Sequence, residues 1–210
     1  MRQRTRFIGP LRPRHLVANR SRGDHKGVDS LRGHLLLAGA GLFDPNFRRT
    51  VILIGEHSEE GAMGVVLNRP SPIPVDDAVP PLAELAGLTG SDGLVYVGGP
   101  VQPDAIVVLA DFEEPERAGV LVLGSIGFVP GDNETDSIDG LRRARVFAGY
   151  AGWGPGQLES ELSESSWIVE PALPDDIFTA DPESLWSAIL RRKGGRFALL
   201  AAMPEDPRLN

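Results

Sequence analysis

Few residue types able to do chemistry occur in recognisable spacing in this chain of 210 residues. Arg48 and Arg49 stand side by side in DPNFRRT, Asp44 to Thr50. Guanidinium groups bind carboxylate or phosphate through a two-pronged fork, so an adjacent pair ahead of a strand marks a candidate site for an anionic ligand or partner. The alternative is structural, with Asp44 or an acidic neighbour holding one arginine in an ion pair. Asn68-Arg69-Pro70 adds donors where an apolar run meets a proline-rich loop, and Gly98-Gly99-Pro100 closes another apolar run. These loops are candidates for a shared concave wall, or they satisfy loop carbonyls.

Other chemistry is incomplete. His57 stands beside Glu56, Glu59 and Glu60, but one histidine with scattered carboxylates lacks metal-ligand spacing. His15, His25 and His34 form no HxH or HExxH pattern. Ser125 lies in Gly-Ser-Ile-Gly, without the GxSxG spacing, and no histidine follows it. Cysteine is absent, which excludes disulfides, thiolate nucleophiles and cysteine-held metals. In RVFAGYAGWGPGQLESEL the glycines at 149, 152, 154 and 156 run from a strand into a helix, as in a dinucleotide fingerprint. They make GxGxG where GxGxxG is needed, and Pro155 removes an amide donor. A strand-to-helix corner with Trp153 packed beside it is the expected role, and a nest of amides for an anion the alternative. No catalytic residue, metal or cofactor is assigned.

Short elements must position these groups. With 25 glycines and 18 prolines, turns and loops are expected to outweigh long helices. HLLLAG (34–39) reads as a buried strand. In the following loop Asp44 is biased away from the α region by Pro45, and Asp44 and Asn46 suit side-chain turns to backbone amides. TVILIGEH (50–57) and GVVLN (64–68) read as a β-hairpin. RPSPIPVDD must be extended or looped, and VPPLAELAGL suits a short helix that opens on its prolines and ends at Gly87. LVYVGG (94–99) and AIVVLA (105–110), joined by a short loop, are expected to pair antiparallel. GVLVLGSIGFV (119–129) is expected to bend at Gly124 and Gly127, and GDNETDSIDGLRRA is a polar turn or loop. RVFAGYAGW is a strand, PGQLESELSES a helix and WIVEPA a strand. DPESLWSAILRRK is a helix that Asp181 can cap, with Pro182 in its first turn and Arg191, Arg192 and Lys193 complementing its dipole. About eight strands and three or four helices without βαβ alternation predict an α+β fold on a mixed, mostly antiparallel sheet.

The net charge of −8 divides unevenly. Residues 1–29 hold eight Lys or Arg and two Asp, leaving 13 basic and 27 acidic residues in the remainder. The first stretch reads as a basic, disordered tail, and residues 30–210 as a single domain. Direct nucleic-acid binding through the tail is an alternative, whereas the acidic body speaks against it. The basic cluster Arg191 to Arg196 at a helix end is another place to test for it. No apolar run approaches a membrane span, and the start lacks the apolar region of a secretory signal, so a cytoplasmic location is expected.

Taken together, GHLLLAGAGLFDPNFRRTVILIGEHSEEGAMGVVLNRP, VYVGGPVQPD and RVFAGYAGWGPGQLESEL resemble the YqgE/AlgH family of bacterial proteins, from about Gly33 to Met203. The resemblance implies an α+β domain whose mixed sheet curls toward a pseudo-barrel. It also implies a regulatory role, including in transcription, and brings no catalytic residues. The candidate binding set is Asp44, Asn46, Arg48, Arg49, Asn68, Arg69, Gly98, Gly99 and Trp153. The expected function is that of a regulatory or binding protein acting through protein or small anionic-ligand contacts. A hydrolase-like or transferase-like enzyme on a small anionic substrate is the alternative.

Overall fold

The computed structural model describes residues 6–7, 29–89, 93–131 and 140–203. Strand β1 (Arg6–Phe7) pairs parallel with Ala105 and Ile106. The rest of segment 1–28 lies outside the described residues, and with it the expectation of a disordered tail.

The central strands are apolar at successive positions because both their faces are covered. In β2 (His34–Ala38) Leu35 and Leu37 enter one core, and Leu36 and Ala38 enter another. In β3 (Val51–Ser58) Val51 and Leu53 join the first, Ile52 and Ile54 the second. Side chains alternate across the pleat, so a strand sandwiched between two cores must be apolar on both. β3 turns through Glu59 and Glu60 into β4 (Gly61–Val66), with Ser58 opposite Gly61. The expected hairpin forms with a tighter loop, because Gly61, Ala62 and Met63 join the ladder.

Next come β5 (Pro70–Pro74), α1 (Val75–Ala78), a 3-10 segment (Pro80–Leu88), β6 (Leu94–Val97) and β7 (Val101–Phe112). The chain continues through β8 (Val120–Leu123), β9 (Ile126–Phe128), β10 (Leu141–Trp153), α2 (Gln157–Ser163) and β11 (Trp167–Pro171). It ends in α3 (Pro174–Ile177), α4 (Leu185–Lys193) and α5 (Arg196–Ala201). The expected helix at VPPLAELAGL forms as the 3-10 segment, with prolines at its start, and the single α-turn α1 lies ahead of it, where RPSPIPVDD is expected to be extended or looped throughout. Gly127 lies within β9 and does not bend the chain; the turn falls at Gly124 and Ser125. β10 begins at Leu141, so LRRA belongs to a strand and not to the polar loop.

The sheet runs β11-β2-β3-β4-β10-β7-β9-β8 with every neighbour antiparallel, while β6 pairs parallel with β10 and antiparallel with β5. It is open but strongly curled. A Cβ on Gly55 of β3 would fall 2.1 Å from the Phe128 ring of β9, and one on Gly33 would fall 2.9 Å from the Val122 carbonyl of β8. The concave side encloses Leu35, Val51, Leu67, Leu109 and Phe147, together with Trp186, Ile189 and Leu190 of α4. The 3-10 segment covers β7 and β10 from outside through Leu82 and Leu85, and α2 covers β3 and β4 through Leu158.

The expected pairing of β6 with β7 is not formed. Both strands flank β10 instead: Val95 and Val108 lie on opposite sides of Val146. The connection must therefore pass over β10, and it does so at Gly98 and Gly99. A Cβ on Gly98 would lie 2.2 Å from the Gly149 carbonyl oxygen, and one on Gly149 would lie 2.5 Å from that of Gly99. Two backbones cross in contact, which a side chain on either would prevent.

Candidate functional site

The loop between β2 and β3 is shaped by its own polar groups. Asp44 Oδ1 accepts the Asn46 amide at 2.8 Å, and the Asp44 carbonyl accepts the amides of Phe47 and Arg48 at 3.0 and 2.8 Å. The expected side-chain turn is thus present and opens one helical turn. Phe47 points inward, edge-on to Trp167 at 5.7 Å. Thr50 returns its amide and hydroxyl to the Phe47 carbonyl.

Arg49 then adopts a left-handed backbone with φ 55°, an unfavourable conformation for a side-chain-bearing residue. Asn68 stabilises it from the end of β4. Its Nδ2 donates to the Arg49 carbonyl at 2.8 Å, and its Oδ1 accepts the Val51 amide at 2.9 Å. One amide side chain thus stands in for a neighbouring strand where β3 begins.

This geometry separates the adjacent arginines. Arg48 is exposed, and its guanidinium has no partner among the described residues. Arg49 donates through Nη2 to the Met203 carbonyl just after α5, and its guanidinium lies 4.9 Å from the Trp186 ring centroid. Arg69 is half-buried and donates through Nη2 to the carbonyls of Pro45 and Arg48 at 2.9 and 3.1 Å. Burial pushes the Arg69 guanidinium down from its ordinary value, with Asp44 opposing, and it remains a cation. The three arginines, Phe43 and Pro45 line one cleft of about 390 Å³. Phe43, 71% exposed, forms an apolar edge beside the cations.

Of the sequence-derived candidates, Asp44, Asn46, Arg48, Arg49, Asn68 and Arg69 are brought together here. Gly98 and Gly99 are buried at the backbone crossing and do not line the cleft. Trp153 belongs to a different assembly. Its Nε1 and that of Trp167 both donate to Glu161 Oε2, at 2.9 and 2.7 Å, and Gln157 donates to Oε1 at 2.8 Å. In the GWGPG corner the Gly154 amide is engaged by Gln157 Oε1 at 3.1 Å. Phe43 and Pro45 were not among the candidates: both fall in the stretch AGAGLFDPNF, which reads as a loop, and only the fold brings them to one cleft with Arg69.

His57 is buried, and both its ring nitrogens are engaged. Nδ1 accepts the Leu31 amide at 3.0 Å, so Nε2 carries the hydrogen that faces Glu159 Oε1 at 2.7 Å. That arrangement ties the entry of β2 to α2. Asp111 gathers the Ser125 hydroxyl at 2.7 Å and the guanidiniums of Arg142 and Arg143 at 3.2 and 3.0 Å. Burial opposes its ionisation, but the hydroxyl and the two arginines outweigh burial and hold the carboxyl below its ordinary range. Arg192 and Lys193 of α4 engage Asp176 and Glu170 respectively, which anchors the helix to α3 and β11. Among the described residues no group of three or more His, Asp or Glu is placed to hold a metal ion. No helix among them is long and apolar enough to cross a membrane.

The AlgH-like family profile matches residues 35–198. The UPF0301 protein of Streptomyces coelicolor is 45% identical over 190 residues, covering 87% of this chain and 97% of that protein. A crystal structure from Corynebacterium diphtheriae superposes with TM-score 0.72 at 29% identity, covering 81% of this chain and 91% of the other. The solution structure of the AlgH protein from Pseudomonas aeruginosa gives 0.63 at 34% identity, covering 87% and 98%.

Proposed function

The chain belongs to the AlgH-like family, and from that footing we propose that it is a cytoplasmic regulatory or binding protein whose arginine cleft holds an anionic group carried by a protein or a small ligand. The observation that supports this reading is the convergence of Arg48, Arg49 and Arg69 on one cleft. Three cations around an open space of that size are matched to a carboxylate or phosphate. Among the described residues the lining contains no group that exchanges a proton near neutral pH, and the reading is accordingly one of binding. An acidic chain bearing one local cationic cleft selects short anions over extended polyanions, so an effect on transcription would run through a protein or ligand contact.

The test is a titration with a hexaglutamate peptide and with inorganic pyrophosphate, read by the fluorescence of Trp186 and its fellows. Saturable binding of at least one probe is expected, weakened about tenfold or more by Arg48→Gln, as for loss of a charge-assisted pair. Arg48 is exposed, so the variant should keep its melting temperature. Failure of both probes to saturate, or binding indifferent to Arg48, would overturn the reading.

A further inference from the structure

The arginine cleft has a volume and an apolar wall that a bare anion leaves unused. Its volume of about 390 Å³ falls among pockets that enclose a whole small molecule, roughly 300–1,000 Å³, whereas one carboxylate or phosphate group fills only part of it. Phe43 and Pro45 line it together with the arginines. Phe43 is 71% exposed, and its ring meets no other ring and no cation among the described residues. Arg69 commits Nη2 to the carbonyls of Pro45 and Arg48, at 2.9 and 3.1 Å, which ties its guanidinium to the loop that carries Phe43. A guanidinium has five N–H donors, and those of Arg69 on Nε and Nη1 are not engaged among the described residues. Arg48 is exposed on the same loop, and Arg49, held to the Met203 carbonyl, adds its charge to the wall.

We propose that the cleft takes a purine nucleoside diphosphate, its base stacked on the Phe43 ring and its two phosphates held by Arg48 and Arg69. The inference rests on the binding reading above and names the ligand class of that site. Two phosphates match two guanidiniums gathered at one loop, each able to present a fork to one phosphate. A planar base matches an exposed phenyl ring, and also the flat faces of guanidiniums, because bases stack favourably on both. A wall that is part apolar and part cationic matches a molecule in which a sugar joins a base to an anion. An acidic peptide supplies the charge without the ring, and inorganic pyrophosphate supplies the charge alone. The side chains of Phe43 and Pro45 carry no hydrogen-bond donor or acceptor, so they hold the base by its face and not by its edge. Adenine and guanine should therefore bind alike, and a pyrimidine, with a smaller face, less tightly.

The experiment is a calorimetric titration of the full chain with ADP, GDP, UDP and inorganic pyrophosphate, free of divalent cations that would chelate the phosphates. ADP and GDP are expected to bind about equally, and about fivefold or more tighter than pyrophosphate, as for one stacked base, with UDP between them. Phe43→Ala is expected to remove that advantage and leave pyrophosphate unchanged. Arg48→Gln is expected to weaken ADP and pyrophosphate alike, by about tenfold. Phe43 and Arg48 are exposed, so both variants should keep the melting temperature of the wild type. A second readout locates the base. Trp153, Trp167 and Trp186 are buried, so Phe43→Trp adds a separate, solvent-exposed emission. ADP is expected to quench it saturably, and pyrophosphate at matched occupancy is not. ADP binding no tighter than pyrophosphate, Phe43→Ala weakening both equally, or emission of the Phe43→Trp variant indifferent to ADP would each overturn the nucleotide inference. Arg48-dependent binding of pyrophosphate or hexaglutamate would in those cases leave the binding reading standing. Failure of ADP, pyrophosphate and hexaglutamate alike to saturate would overturn both.

Discussion

Four glycine-to-alanine substitutions separate the two reasons a glycine is needed. At Gly98 the backbone carries no positive φ, but the new methyl would stand 2.2 Å from the Gly149 carbonyl oxygen. That is about 1 Å inside contact, against backbone on a crossing strand, so the loss should reach about 3 kcal/mol, the upper end of overpacking. Gly149 combines a 2.5 Å clash with the Gly99 oxygen and a φ of 72°, and should lose about 1–2 kcal/mol more. Gly156 has φ 71° and open space around its missing Cβ, so strain alone should cost about 1–2 kcal/mol. Gly152 has neither handicap: its nearest contact would be 3.5 Å and its φ is not in the left-handed region. Its alanine variant should remain within about 0.5 kcal/mol of wild type. Urea unfolding followed by tryptophan fluorescence, with slopes compared, ranks the four directly. If Gly98→Ala proved as stable as Gly152→Ala, or less damaging than Gly156→Ala, the crossing would not be the reason for these glycines.

Three further outcomes follow from the contacts described. The Asp111 carboxyl is held below its ordinary range when folded, so its contribution is full above that range and is lost as pH falls through the folded value. The stability gap between wild type and Asp111→Asn should therefore be largest near neutral pH and shrink in acid, measured by urea midpoints across a pH series. Glu161→Ala leaves the indole N–H groups of buried Trp153 and Trp167 without their shared acceptor and should cost about 3 kcal/mol, with a shift in tryptophan emission. Asn68→Ala removes the hydrogen bonds that support left-handed Arg49 and the start of β3. It should lose about 1–3 kcal/mol in urea unfolding and weaken hexaglutamate binding, although Asn68 does not line the cleft.

Local chemistry was readable in the sequence wherever local chemistry decides the structure. The Asp44 turn, the β3–β4 hairpin and the Asp181 bond to the Ser184 amide ahead of α4 each depend on a few adjacent residues. The pairing of β6 was not readable. A short link between two apolar runs ordinarily makes a hairpin, yet Tyr96 pairs with Phe147, and the decisive feature is a glycine contact with residues some fifty positions away. The same limit applies to the cleft. Arg48 and Arg49 were visible as a pair, but their opposite assignments depend on φ at Arg49 and on Met203 and Trp186 from the far end of the chain. Trp153 was correctly expected to pack beside its corner, whereas Glu161 as acceptor for two indoles required Trp167 to return alongside it.

β10 imposes an order on biosynthesis. It is the common neighbour of β4, β6 and β7, and each of these leaves the ribosome well before it. At about 5–20 residues per second, β4 must wait several seconds for its second partner. During that interval apolar strand edges made for β10 stand open, the condition under which nascent chains recruit chaperones or one another. A transcript cut before Leu141 should accordingly yield an aggregating product, and slow codons placed between β9 and β10 should lower the soluble yield of the full chain.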